Sequence, residues 1–373
     1  MPLKRFYRLI SLPLEIVLVL AAMFVGWKLI EPHLAASQFV NAGRAGGQIS
    51  FPSIRLLISF VLSVLLHLLI QLFGSLAGGW LGGRKLAAIR LSRTNYVREN
   101  GQFYKRETLV EQELLPVIMV RKEEKSLGSW FFYLYGNVLL DLLITLFCFF
   151  LISSHVFHPS AVTGTFVFGF WFSGIITVIL SAVPLYRAGI PNNALILFCI
   201  LVNKNDRTAL MNAFRFLYRV SERTMPDMAD FPEVKEETDS FLTGYDLYHR
   251  YEMAVWQEDY EKASGYMTVL FEHRHAYPEE FEDLIGQEVI CALILNGTEE
   301  DLSVCDLYVS ELRKNRLESS MAASSSRCLY YWYDHHEDMD EQVEYYRKQY
   351  ISRIKNIPFE LVRESWMGTI IHG

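Results

Sequence analysis

A histidine, a glutamine and several glycines set within an apolar run are the residues of this chain with the most obvious capacity for chemistry. The stretch "SVLLHLLIQLFGSLAGGWLGG", residues 63–83, puts His67 and Gln71 one helical turn apart, so that both side chains share a face. Two histidines at that spacing, with a carboxylate beside the first, hold zinc in hydrolases and take a proton from the metal-bound water. Here the residue after His67 is Leu68, which accepts no proton, and Gln71 offers a neutral amide instead of a second imidazole. Polar side chains at membrane depth are costly and usually functional, whereas the glycines can serve helix packing alone.

The elements that position these residues follow from composition. The chain is 51% hydrophobic with a mean hydropathy of +0.16, and its apolar residues gather in long blocks. Spans of membrane length are expected at residues 9–30, 54–81, 130–153 and 162–184, and the block at 194–202 is too short to cross alone. The first span has a basic lead (Lys4, Arg5, Arg8) but a long apolar region containing Glu15 and no small-residue cleavage site, so it reads as an uncleaved anchor. Ten Lys or Arg lie in residues 84–125 and none in residues 154–161. The positive-inside rule then predicts a multi-pass protein of the cell membrane with both termini cytoplasmic.

Charge divides the chain into an expected membrane domain, residues 1–204, and a cytosolic helical domain, residues 205–373. The second holds 33 Asp or Glu against 17 Lys or Arg, a net −16, and the first nets +9. The basic part suits anionic lipid headgroups, and the acidic part argues against nucleic acid as a partner. Five cysteines without a C-x-x-C pair read as reduced and structural.

Between the second and third spans, "NYVRENGQFYKRE" (residues 95–107) sets Asn100-Gly101 between short runs containing Tyr96, Val97, Phe103 and Tyr104. This is the signal for a two-residue β-hairpin. Flanking runs at 87–91 and 117–120 can extend it to a small cytosolic sheet, whose open edge can take up an extended peptide or remain a bare connector. In the tail, polar turns near Gln257, Asn296 and His335 each separate two amphipathic segments at a spacing of about forty residues. That spacing is similar to tetratricopeptide-like repeats, with a plain helical bundle as the alternative. Such a tail either binds a protein partner or caps the membrane domain.

The order of these features resembles the site-2-type intramembrane zinc metalloproteases, and most closely a bacterial branch with a cytosolic helical tail. His67 falls on the first histidine of the H-E-x-x-H motif, with Ser75, Gly78 and Gly79 among the small residues after it. "YGNVLLDLL" (residues 135–143, with Asn137) is similar to the Gly/Asn span, and "GIPNNA" (residues 189–194) to the turn bearing the third metal ligand. The resemblance implies a metal site and a peptide cleft, but the chemical positions have changed. Leu68 stands for the catalytic Glu, Gln71 for the second His and Asn193 for the Asp ligand.

No catalytic residue and no cofactor are therefore expected, and His67 is at most a remnant ligand. The expected function is that of an inactive protease homologue binding or regulating a membrane-embedded or extended polypeptide, with Tyr96, Val97, Phe103, Tyr104 and Asn137 as its contacts. Two alternatives are an active metalloprotease with a rearranged zinc site, using His67 and a partner such as Asp141, and a transporter-like scaffold. His155 with His158, "DHHED" at 334–338 and "HRH" at 273–275 read as structural or surface residues. No P-loop, Rossmann fingerprint or G-x-S-x-G is present.

Overall fold

A computed structural model describes residues 11, 13–21, 24, 52–91, 94–123, 127–153, 161–187, 190–234, 240–311, 314–335 and 339–371. They fall in two compact units. One is drawn from Arg5–Arg84 and Ser126–Phe198, the other from Lys85–Lys125 and Cys199–Gly373. The sheet region thus groups by its contacts with the tail helices, not with the apolar helices that flank it in sequence.

The first unit is a bundle of α1 (Pro52–Leu81), α2 (Leu127–Ser153) and α3 (Ala161–Ala182), each packed on the other two. Its outward faces are apolar: Leu65, Leu69 and Phe73 on α1, and Leu143, Leu146, Phe147 and Phe150 on α2, are each more than half exposed. Among the described residues, Ile58–Leu81 and Leu127–Leu151 are long and apolar enough to cross a membrane, and Phe166–Ala182 is shorter. The four expected spans reduce to this coarser statement, and half of the span expected at 9–30 lies outside the described residues.

Glycines set the approach of α1 and α2. A Cβ at Gly78 would stand 2.0 Å from the Phe132 carbonyl oxygen, and one at Gly136 would stand 2.4 Å from that of Gly74. The two backbones touch where Gly74, Gly78 and Gly136 meet, the packing that small residues permit between apolar helices. Past α1, Gly83 adopts φ 71° and the Arg84 amide donates to the Gly79 carbonyl, closing the helix. Arg84 then lies over the rings of Trp130 and Tyr133.

The second unit holds an antiparallel sheet of β1 (Lys85–Leu91), β2 (Thr94–Glu99), β3 (Gln102–Arg106) and β4 (Val117–Val120) in the order β3-β2-β1-β4. Asn100 and Gly101 both have positive φ, 52° and 81°, as a type I′ hairpin turn requires, and Glu99 pairs with Gln102. β2 alternates, with Asn95, Val97 and Glu99 buried and Tyr96 and Arg98 outward, while β4 is buried throughout. A two-stranded β5 (Tyr186–Arg187) and β6 (Ile190–Pro191) pair belongs to the first unit.

After α4 (Asn193–Val202), helices α5 (Lys204–Ser221), α6 (Phe241–Trp256), α7 (Tyr260–Glu272), α8 (Glu279–Asn296), α9 (Glu299–Glu311), α10 (Lys314–Ser319), α11 (Ala323–Asp334), α12 (Asp340–Ile354) and α13 (Glu360–Ile371) complete the chain. The turns expected near Gln257, Asn296 and His335 separate α6 from α7, α8 from α9 and α11 from α12. Asp259 caps α7 through the Lys262 amide, and Gly297 at φ 67° ends α8. The sheet is bonded into these helices. The Glu107 amide donates to the Asn356 carbonyl, and Glu99 accepts from the Phe359 amide and from Arg363.

Candidate functional site

His67, Gln71 and Thr177 converge on Asp141. His67 is fully buried, and its Nδ1 lies 2.5 Å from Asp141 Oδ1. Its Nε2 lies 2.8 Å from the carbonyl oxygen of Phe170, whose ring stacks on the imidazole at 4.2 Å. Asp141 Oδ2 accepts from Gln71 Nε2 at 2.9 Å and from Thr177 Oγ1 at 3.0 Å, and Gln71 Nε2 also donates to Ser181 Oγ. Gly174 makes room for this, since a Cβ there would stand 2.3 Å from Thr145 Oγ1 and 2.8 Å from His67 Cε1. One acid therefore ties α1 to α3 through side chains of all three helices.

A carbonyl only accepts, so His67 Nε2 is the donor to Phe170, while Nδ1 faces the Asp141 carboxyl. Neither ring nitrogen then has a lone pair free for a metal or for water. Zinc does not fit this donor set: the imidazole is used up, Gln71 turns its N–H groups to Asp141 and Ser181, and Asn193 donates to the Leu134 carbonyl. Among the described residues no three His, Cys, Asp or Glu converge in ligand geometry. Leu68 is 55% exposed on the outer face of α1, so position 68 does not face the His67 cluster.

The residues expected to contact a peptide separate. Tyr96 and Tyr104 are each 37% exposed and Phe103 is 49% exposed, so all three offer surface on the hairpin. Val97 is completely buried on the inner face of the sheet, and Asn137 sits in the α1–α2 crossing against Gly74, in the other unit. Val97 therefore offers no surface on the hairpin. His155 and His158, and 336–338 of "DHHED", lie outside the described residues. His275 pairs with Glu282 at the surface of the tail.

β3 is an edge strand, and no described strand pairs with its outer side. Because Glu99 and Gln102 close the turn, Val97–Tyr104 is the next hydrogen-bonded pair, whereas Arg98–Phe103 and Tyr96–Lys105 are non-hydrogen-bonded pairs. The N–H and C=O groups of Phe103 and Lys105 consequently point away from β2, toward the open edge. Comparison with protein-family models, curated proteins and solved structures returns no match.

Proposed function

We propose that this protein is a membrane-anchored, non-hydrolytic binder of extended polypeptides, built on a bundle related to that of the site-2-type intramembrane metalloproteases. The observation that carries the binding is the β3 edge, unpaired among the described strands, with outward main-chain groups at Phe103 and Lys105 and exposed aromatic rings at Phe103 and Tyr104. Support for the absence of hydrolysis comes from His67, both of whose nitrogens are engaged by Asp141 and Phe170. The relation to the proteases rests on the order of motif fragments in the sequence. In this reading the chain crosses the cell membrane four times with both termini in the cytoplasm, and its helical pairs form a repeat-like tail that can receive a further protein. Basic groups not already paired within the protein face anionic headgroups.

The test uses the full chain in lipid nanodiscs and a fluorescein-labelled peptide of alternating Val and Thr with acidic ends, chosen to match exposed Arg98 and Lys105. Lys105→Pro removes an outward donor without breaking a β2–β3 ladder bond, so it should abolish the anisotropy rise while the hairpin survives. N-methylating alternate residues of the peptide should do the same. Undiminished binding by both the variant and the methylated peptide would rule out strand addition.

A further inference from the structure

Within the sheet-and-helix unit, a hollow of about 490 Å³ lies between the turn end of the sheet and the C-terminal end of α5. Its lining includes Lys85, Arg98, Asn100, Gly101, Glu222 and Arg223, so three cations face the space against one acid. The volume falls in the range of small-ligand sites. The cations come from separate elements, Lys85 from β1, Arg98 from β2 and Arg223 from the residue pair that closes α5, where it adopts φ 55°. Folding therefore gathers positive charge here that is scattered along the sequence.

The three cations differ in how far they are already engaged. Arg98 is exposed on the outer side of β2 and makes no hydrogen bond or ion pair among the described residues. Lys85 reaches Glu222 at 3.3 Å and Arg223 pairs with Glu360, but both pairs lie at the surface, where an ion pair contributes little and exchanges readily. A phosphate monoester carries nearly two charges and three terminal oxygens. It can take the forked guanidinium of Arg98 and draw Lys85 from Glu222 at small cost.

The course of the chain points to one source of such a group. Lys85 follows Leu81, the last residue of α1, by four positions, and its register partner Val120 precedes Leu127, the first of α2, by seven. Along the chain these positions adjoin the ends of the two helices long and apolar enough to cross a membrane, and anionic headgroups lie at such ends.

We infer that this hollow binds a phosphate monoester, with Arg98, Lys85 and Arg223 as its donors. The same chemistry is carried by the headgroup of phosphatidic acid and by a soluble phosphate ester. Only the choice between these sources rests on the membrane reading of the proposed function, and the β3 edge takes no part.

The experiment titrates the full chain in mild detergent with glycerol 3-phosphate, followed by calorimetry, and with dioleoyl phosphatidic acid, followed by native mass spectrometry. Dioleoyl phosphatidylglycerol serves as the diester control. Each monoester should saturate one site, and phosphatidic acid should bind about fivefold or more tighter than the singly charged diester. Arg98→Gln breaks no contact within the protein and should weaken both monoesters by about fivefold or more, the order expected for one charge-assisted bond near a surface. Glu222→Gln should tighten them, and Lys105→Gln, at an exposed cation of the same sheet outside the hollow, should change neither. Tighter binding of phosphatidic acid than of glycerol 3-phosphate would assign the natural ligand to a lipid, and similar affinities would assign it to a soluble ester. No saturation by either monoester, equal binding of the monoester and diester lipids, or the same loss from Lys105→Gln as from Arg98→Gln would overturn the inference.

Discussion

At the scale of residues, the buried His67 ties the apolar helices together through Asp141 and the Phe170 carbonyl. Removing one partner from a buried hydrogen-bonded pair strands the other, so Asp141→Leu should destabilise the bundle by about 3 kcal/mol or more, leaving His67 Nδ1, Gln71 and Thr177 without their partner. His67→Leu combined with Asp141→Leu should cost less than the two single changes together, a coupling that thermal unfolding in detergent would measure. His67 and Gln71 were legible in the sequence because a polar pair at helical spacing stands out in an apolar run. The Phe170 carbonyl that occupies Nε2 was not, because a main-chain acceptor leaves no mark on residue type. Outside the bundle, Glu99 is buried, which would raise its carboxyl, yet the hydrogen bonds and charges of Arg106 and Arg363 hold it at about 2 against an ordinary 4.5. Its contribution to stability is complete above pH 4.5 and is lost as pH falls toward 2. The acid limb of the stability profile should flatten in Glu99→Gln, as circular dichroism across pH 5 to 2 would show.

At the scale of elements, the glycines of α1 answer to packing. A side chain at Gly78 meets the Phe132 carbonyl at 2.0 Å, in a backbone that cannot yield without separating two helices. Gly78→Ile should therefore destabilise the bundle by about 2 kcal/mol or more, while the same change at Gly265, inside α7 where a Cβ would meet nothing, should be neutral or slightly stabilising because Ile is the better helix former. Comparing thermal midpoints of the two variants tests this. The hairpin was legible because Asn-Gly supplies the two positive φ angles of its turn. The burial of Val97 follows from strand alternation, but which face turns inward is decided by distant partners: Arg363 and the Phe359 amide hold Glu99, two residues along on the same face.

At the scale of the whole molecule, the net charge of −7 conceals a basic segment and an acidic tail, and part of that opposition is spent internally. Lys85 pairs with Glu222 and Arg90 with Glu280, so these sheet cations meet tail acids within one unit. Sequence order assigned the sheet to the membrane half because the segment lies between apolar spans. Contacts made over more than a hundred residues of separation, which no local pattern encodes, group it with the tail. The central claim is that the open β3 edge receives a polypeptide strand that the protein does not cut. Amide hydrogen exchange on the full chain in nanodiscs, with and without the Val-Thr peptide and followed by mass analysis of that peptide, tests both parts together. The expected result is new protection at the Phe103 and Lys105 amides with the peptide recovered intact, including after zinc is added; unprotected edge amides, or zinc-dependent cleavage of the peptide, would contradict the account.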